Sequence, residues 1–286
     1  MPDFAVHFDG EPFAALDRLA LLGRQDYNLG NAGDWFGRFR GGLYGFYARL
    51  YGVQRHYSEV HEWLPRLRTP SETEYHLASI FFQMDSALEC FTFALNALGW
   101  ATMPSGFRNV MDAGELRCIS PLDVLGNPTR TPPVPPKLGY TSMFPSFQTL
   151  WQSHVKLISQ IRNLHDVSKH RQTIYVGGQR RLDAPPSFYQ SLGIPEQSND
   201  REDSTLRTLL CPDAEIILKP EPKSPSIQRS AQPINRRDLL ENLVPSFRQF
   251  INTSGQSALA DARVQLHLKE GSFRGGLTPE VRGLGD

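Results

Sequence analysis

The sequence predicts a mainly α-helical fold: a helical bundle with a small β-hairpin or short strands and long proline-rich loops. Residues 71–100, SETEYHLASIFFQMDSALECFTFALNALGW, and residues 145–169, PSFQTLWQSHVKLISQIRNLHDVSK, both place apolar side chains three and four apart, which is the period of a helix face. Residues 120–140, SPLDVLGNPTRTPPVPPKLGY, hold too many prolines for a regular helix or a central strand. With 286 residues, 40% hydrophobic and 21% charged, the chain can bury a sizeable core.

In chain order, FAVHF at Phe4–Phe8 alternates apolar and polar residues and reads as a short strand. A first short helix is expected from about Pro12 to Gly23. Gly41 and Gly42 are expected to break or bend the aromatic-rich stretch that follows, so its helix is placed from Leu43 to about Trp63, ending before Pro65. Ser71 and Glu74 then stand at capping-box spacing, where the hydroxyl and the carboxylate satisfy exposed backbone N–H groups.

Leu77, Phe81, Met84, Leu88, Phe91, Leu95 and Leu98 alternate steps of four and three. Ile80, Ala87, Phe93 and Ala94 widen that stripe until little polar face remains, so this helix belongs at the centre of the bundle. Gly99 reads as its C-terminal stop. Residues 101–143 read as a long, partly extended surface connection.

The second strong helix is expected to start near Pro145, a residue tolerated in a first turn, and to run on through Lys169. Phe147, Leu150, Trp151, Val155, Leu157, Ile158, Ile161 and Leu164 supply its buried face. TIYV, a Gly177-Gly178 turn and AEIILK then read as two short strands, separated by a polar, proline-bearing excursion. KPEPKSPSIQRSAQP is compositionally a linker.

A last bundle helix offers Leu239, Leu240, Leu243, Phe247, Phe250 and Ile251, interrupted or kinked at Pro245. RVQLHLK reads as a terminal strand, although the preceding SALADAR suits a helix equally, and the final GGLTPEVRGLGD is expected to fray. The organisation that results is residues 1–70 as N-terminal helices packing on the bundle and 71–172 as the helical core. Residues 173–235 form a strand- and loop-rich insertion, and 236–286 a C-terminal helix and tail.

Lysine plus arginine and aspartate plus glutamate each number 30, so no global field draws the chain onto nucleic acid or an anionic membrane. The acidic N-terminus is not that of a signal peptide, and no apolar run reaches a membrane span; a soluble cytoplasmic protein without a membrane partner is expected. Cys90, Cys118 and Cys211 lie far apart with no CxxC spacing, which argues against a disulfide framework and against a cysteine zinc site.

The chemistry-bearing residues gather at the end of the second strong helix. Arg162 lies one turn from His165 and Asp166, with Lys169 two turns beyond Arg162. His170 is displaced around the axis unless the helix has already unwound. Arginine can grip a phosphate bidentately and histidine can move a proton near neutral pH, the equipment of metal-independent RNA cleavage. The same residues also suit a plain helix end, with Arg162 paired to Asp166 and cations facing the negative end of the dipole.

On the central helix Asp85, Glu89, Thr92 and Asn96 form a narrow polar strip. Buried or half-buried carboxylates need partners, and the Arg162 and His165 face is the best candidate; the strip equally suits a solvent-facing rim of the bundle. His56, Glu59, His61 and Glu62, together with His76, Asp85, Glu89, His154 or His165, could build a metal site. No ExxH pair accompanies them, so no metal or other cofactor is expected. Dinucleotide and phosphate loops, a GxSxG elbow and HExxH are all absent from the sequence.

Residues 71–172 resemble the HEPN superfamily of small helical bundles. In that family a helix with an embedded acidic residue packs against a later helix that ends in an arginine, a polar residue often asparagine, a short gap and a histidine. The matching residues are Arg162, Asn163 and His170, with Asp85 or Glu89 as the acidic position. The resemblance implies a bundle that often dimerises, so that arginine and histidine of two subunits face one groove. Active members are metal-independent ribonucleases, many of them toxins or antiviral effectors, and others only bind nucleotides or partners. The gap after Asn163 is longer than the family's, and His165 is the alternative neighbour of Arg162.

Two functions follow as expectations. One is an endoribonuclease acting on RNA in defence or stress, with Arg162 steadying phosphorane charge, His170 or His165 moving the proton and Asp85 or Glu89 orienting the arginine. The other is a non-catalytic helical binding or assembly module.

Overall fold

A computed structural model of the chain describes residues 8–26, 34–61, 70–127, 131–170, 175–176, 215–217 and 234–265. These are helical in the great majority. Residues 4–7 of the strand expected at Phe4–Phe8, the linker at 219–233 and the final tail lie outside them, as do the side chains of the capping-box residues Ser71 and Glu74.

Helix α1 (Glu11–Asp26) opens after Asp9, whose carboxylate accepts from the Glu11 N–H at 3.0 Å. Helix α2 (Trp35–His61) starts eight residues before the expected Leu43. Asp34 is its N-cap, accepting from the Gly37 N–H at 3.0 Å and so satisfying an otherwise orphaned donor. Trp35, Phe39, Leu43, Phe46, Leu50, Val53, Tyr57 and Val60 form its buried stripe.

Gly41 and Gly42 do not break this helix. Gly42 sits where α2 presses on α3 (Pro70–Thr102): a Cβ there would lie 2.9 Å from the Ala94 backbone nitrogen and 3.0 Å from the Cys90 carbonyl oxygen. The glycine is a point of close backbone approach, a role its own sequence neighbourhood does not reveal.

Helix α3 is the core's axis, with Leu77, Ile80, Phe81, Met84, Leu88, Phe91, Ala94, Leu95 and Leu98 all fully enclosed. It runs past Gly99 to Thr102, which corrects the expected stop. A Cβ at position 99 would meet the Phe107 ring at 2.4 Å, so Gly99 is the seat of that ring.

Residues 101–143 are more than a surface connection. A 3-10 turn (Pro104–Gly106) precedes α4 (Ala113–Leu116), α5 (Pro121–Leu125) and α6 (Leu138–Met143). Asp112 caps α4, and Ser120 with Asp123 forms a capping box on α5. Helices this short show too few turns for a periodic signal; α5 and α6 are held by buried side chains, whereas Leu116 of α4 is exposed. Phe107, Val124, Tyr140 and Met143 reach the core, where the Tyr140 hydroxyl donates to the Thr92 carbonyl at 3.0 Å.

The expected helix from Pro145 is two helices, α7 (Pro145–Ser153) and α8 (Val155–His170). At the break His154 takes φ −105° and ψ 17°. Two side chains compete there for the ladder's carbonyl: Ser153 Oγ donates to Leu150 O at 2.7 Å and His154 Nδ1 lies 2.9 Å from the same oxygen. Of the expected apolar face, Phe147, Trp151, Ile158, Ile161 and Leu164 are buried, whereas Val155, beside the break, is exposed.

Helix α9 (Arg236–Gln265) passes through Pro245 without interruption and takes in Arg263–Gln265, which overturns the reading of that segment as the start of a strand. Asp261 Oδ2 accepts from the Phe147 N–H at 2.9 Å, and Trp151 Nε1 donates to Ser254 Oγ at 3.0 Å. These two buried bonds fasten α7 to α9. Rings link the layers from α1 to α7: Phe13 to Phe46 at 4.7 Å, Phe46 to Phe91 at 5.1 Å, Phe91 to Phe147 at 5.6 Å.

The expected β-hairpin is not shown. Tyr175–Val176, Glu215–Ile217 and Ile234–Asn235 pair antiparallel over only two residue pairs at each junction, and the residues between them lie outside the described set. No helix among the described residues is long and apolar enough to cross a membrane.

Candidate functional site

Helix α8 lies along α3, and the seam between them holds the one carboxylate–imidazole pairing buried on both sides among the described residues. Asp85 faces inward because it stands one turn from Phe81 and Leu88 on a helix apolar almost all round. His165 faces it because it continues the Ile158, Ile161 and Leu164 face of α8. His165 Nδ1 donates to Asp85 Oδ2 at 2.6 Å, with the two side chains 9% and 8% exposed. The carboxylate fixes the tautomer and the plane of the ring. His165 Nε2 and Asp85 Oδ1 are both enclosed without a hydrogen-bond partner.

The surroundings of the pair are aromatic. Phe82 meets the His165 ring edge to face at 5.3 Å. The Arg49 guanidinium of α2 lies 5.1 Å over Phe82 and donates to Gln83 Oε1 at 3.3 Å. Burial pushes the Cys90 thiol up from its ordinary pKa, with Arg49 opposing. A line of contacts Arg49–Phe82–His165–Asp85 therefore ties α2, α3 and α8 together.

Arg162 precedes His165 by one turn and is half-buried. It makes no hydrogen bond or ion pair with another described side chain, so the expected pairing with Asp166 is not formed. Asn163, Asp166 and Glu89 point outward. The structure thus selects Asp85 over Glu89 as the inward carboxylate and gives it His165, rather than Arg162, as partner.

Helix α8 stays regular to His170, so the unwinding that could swing His170 toward Arg162 does not occur. Eight residues along a regular helix turn the side-chain direction by about 80° and advance it by about 12 Å. The side chains of Lys169 and His170 lie outside the described set.

The rest of the polar strip is structural. Asn96 donates to Arg108 O at 2.8 Å and accepts from Arg108 N at 3.1 Å, pinning the chain that leaves α3. Thr92 Oγ1 donates to Leu88 O at 2.8 Å.

The residues weighed as metal ligands disperse. His154 stacks on Phe250 at 4.9 Å, His165 belongs to Asp85, and His56 Nδ1 lies 3.0 Å from His76 Nδ1. His61 and Glu62 side chains are outside the described set. Among the described residues no three His, Cys, Asp or Glu side chains converge on a metal position.

Sequence reasoning placed Asp85 and His165 among the candidates but missed Arg49, Ser254 and Asp261. Asp261 carried a signal: a lone carboxylate three residues after Ala258 on the same helix face, a face that proves buried. No family model, no curated protein and no solved structure matches the chain.

Proposed function

We infer that the chain works as a non-catalytic helical module that binds or assembles with a partner. The closure of the Asp85–His165 pair supports this reading. Nδ1 is committed to the carboxylate and Nε2 is enclosed, so neither ring nitrogen is placed to take a proton from a substrate. The regular course of α8 to His170 supports it further, since Arg162 and His170 of one chain do not share a face.

A second reading is favoured by Arg162, a half-buried guanidinium without an ion partner among the described side chains. Here the chain is a HEPN-like protein acting on RNA, a metal-independent endoribonuclease in defence or stress. Arg162 holds a phosphate, and a homodimer presents His170 of one subunit to Arg162 of the other.

Incubating the purified full chain with structured and unstructured RNAs in EDTA separates the two. The module reading expects every RNA to stay intact. Cleavage by the parent that disappears in both Arg162→Ala and His170→Ala overturns it in favour of the second.

A further inference from the structure

His56, near the end of α2, and His76, near the start of α3, meet head-on. Their Nδ1 atoms are 3.0 Å apart, and the 5.3 Å between ring centres equals that distance plus two ring radii, so each nitrogen points straight at the other. In that geometry one Nδ1–H donates and the other Nδ1 accepts through its lone pair. A cation chelated by both nitrogens would need the lone pairs tilted toward a common point beside the line joining them. The pair is shaped for a shared proton instead.

Its capacity follows from the tautomers. A first extra proton goes to Nε2 of the donor ring and leaves the bond intact. A second has only the acceptor's Nδ1 available, where it replaces the lone pair with an N–H and sets two positive rings face to face at hydrogen-bond distance. We propose that the His56–His76 pair is a proton-operated latch between α2 and α3, closed while it holds at most one extra proton and opened by the second.

Among the described residues, His76, Glu59 and Arg55 are the charged and titratable groups that act on His56. Burial, then His76 and Arg55, lower its pKa below 6.5, and Glu59 opposes them. Arg55 and Glu59 are themselves paired at 3.0 Å on α2. On α3, the Tyr75 ring stands edge to face with both imidazoles, at 5.7 Å from His56 and 5.1 Å from His76. The sign is that of a depressed histidine: the closed state is favoured above the ordinary histidine value and loses its advantage as pH falls through the lowered one. The latch opens on acidification.

Hydrogen exchange followed by mass spectrometry on the full chain at pH 7.5 and pH 5, corrected for intrinsic rates, reads the latch directly. Exchange in residues 50–61 and 74–82 is expected to quicken at least tenfold at the lower pH, and His76→Phe is expected to abolish that acid response. An undiminished acid response in the variant overturns the proposal. His76→Gln, which cannot titrate, makes the same comparison if the phenylalanine variant is insoluble. Imidazole NMR titration of the unaltered chain gives an independent reading. Two separated protonation steps from this pair are expected, and two coincident steps near the ordinary histidine value overturn the latch.

Discussion

Asp85 Oδ2 and His165 Nδ1 stand 2.6 Å apart across the α3–α8 seam, each side chain more than nine-tenths enclosed. A buried pair of this kind contributes little over an apolar pair of equal volume, yet losing one partner strands the other without compensation.

Asp85→Ala and His165→Ala are therefore expected to cost about 3–5 kcal/mol each, measured by urea unfolding. The double variant Asp85→Leu/His165→Leu is expected to recover most of that loss. If the single variants unfold like the parent, the pair is not formed in solution.

Glycines 41 and 42 are adjacent yet should respond oppositely. Gly42→Ala puts a methyl group 2.9 Å from the Ala94 nitrogen and is expected to cost about 1–3 kcal/mol through overpacking. A Cβ at position 41 meets nothing within 4 Å, so Gly41→Ala should gain about 0.5–1 kcal/mol of helix stability. Thermal melts of the two variants should bracket the parent.

Asp261→Ala removes the acceptor of the Phe147 N–H inside the core. Leaving that donor unsatisfied is expected to cost about 1–3 kcal/mol, seen as a lower urea midpoint. Asp261→Asn, which keeps an acceptor oxygen in place, should recover part of it.

Alkali should unfold the chain through its buried phenols. Burial holds the Tyr140 hydroxyl well above its ordinary value of 10.0, and Tyr47 is pushed up to about 12, chiefly by burial. A raised phenol favours the fold fully below the unfolded value and loses that contribution as pH climbs through the folded one. Stability should fall from pH 10 upward, and the last phenolate absorbance should appear together with loss of helical circular dichroism. Smooth ionisation of all nine tyrosines in the folded protein would contradict this.

How much of this was legible in the sequence depends on whether a feature is local. The girth of α3 was readable because Leu77 through Leu98 repeat at helical steps whatever they touch. Gly42 was misread because its purpose lies in Ala94, fifty-two positions away, and Gly99 was misread because its partner is the Phe107 ring. The break at His154 escaped notice since the Ser153 and His154 bonds that cause it leave the apolar period almost intact. The candidate site was half readable: the need of Asp85 for a partner on α8 followed from its apolar surroundings, but choosing His165 over Arg162 required the rotational setting of two helices.

That setting depends on His154. Were the chain one rod from Pro145 to His170, a single rotation would have to serve both neighbours at once. Helix α7 aims Trp151 at Ser254 while α8 independently aims His165 at Asp85. The break thus acts as a universal joint between anchor and seam, and a small change of its angle would tune the Asp85–His165 distance while the anchoring side stays still.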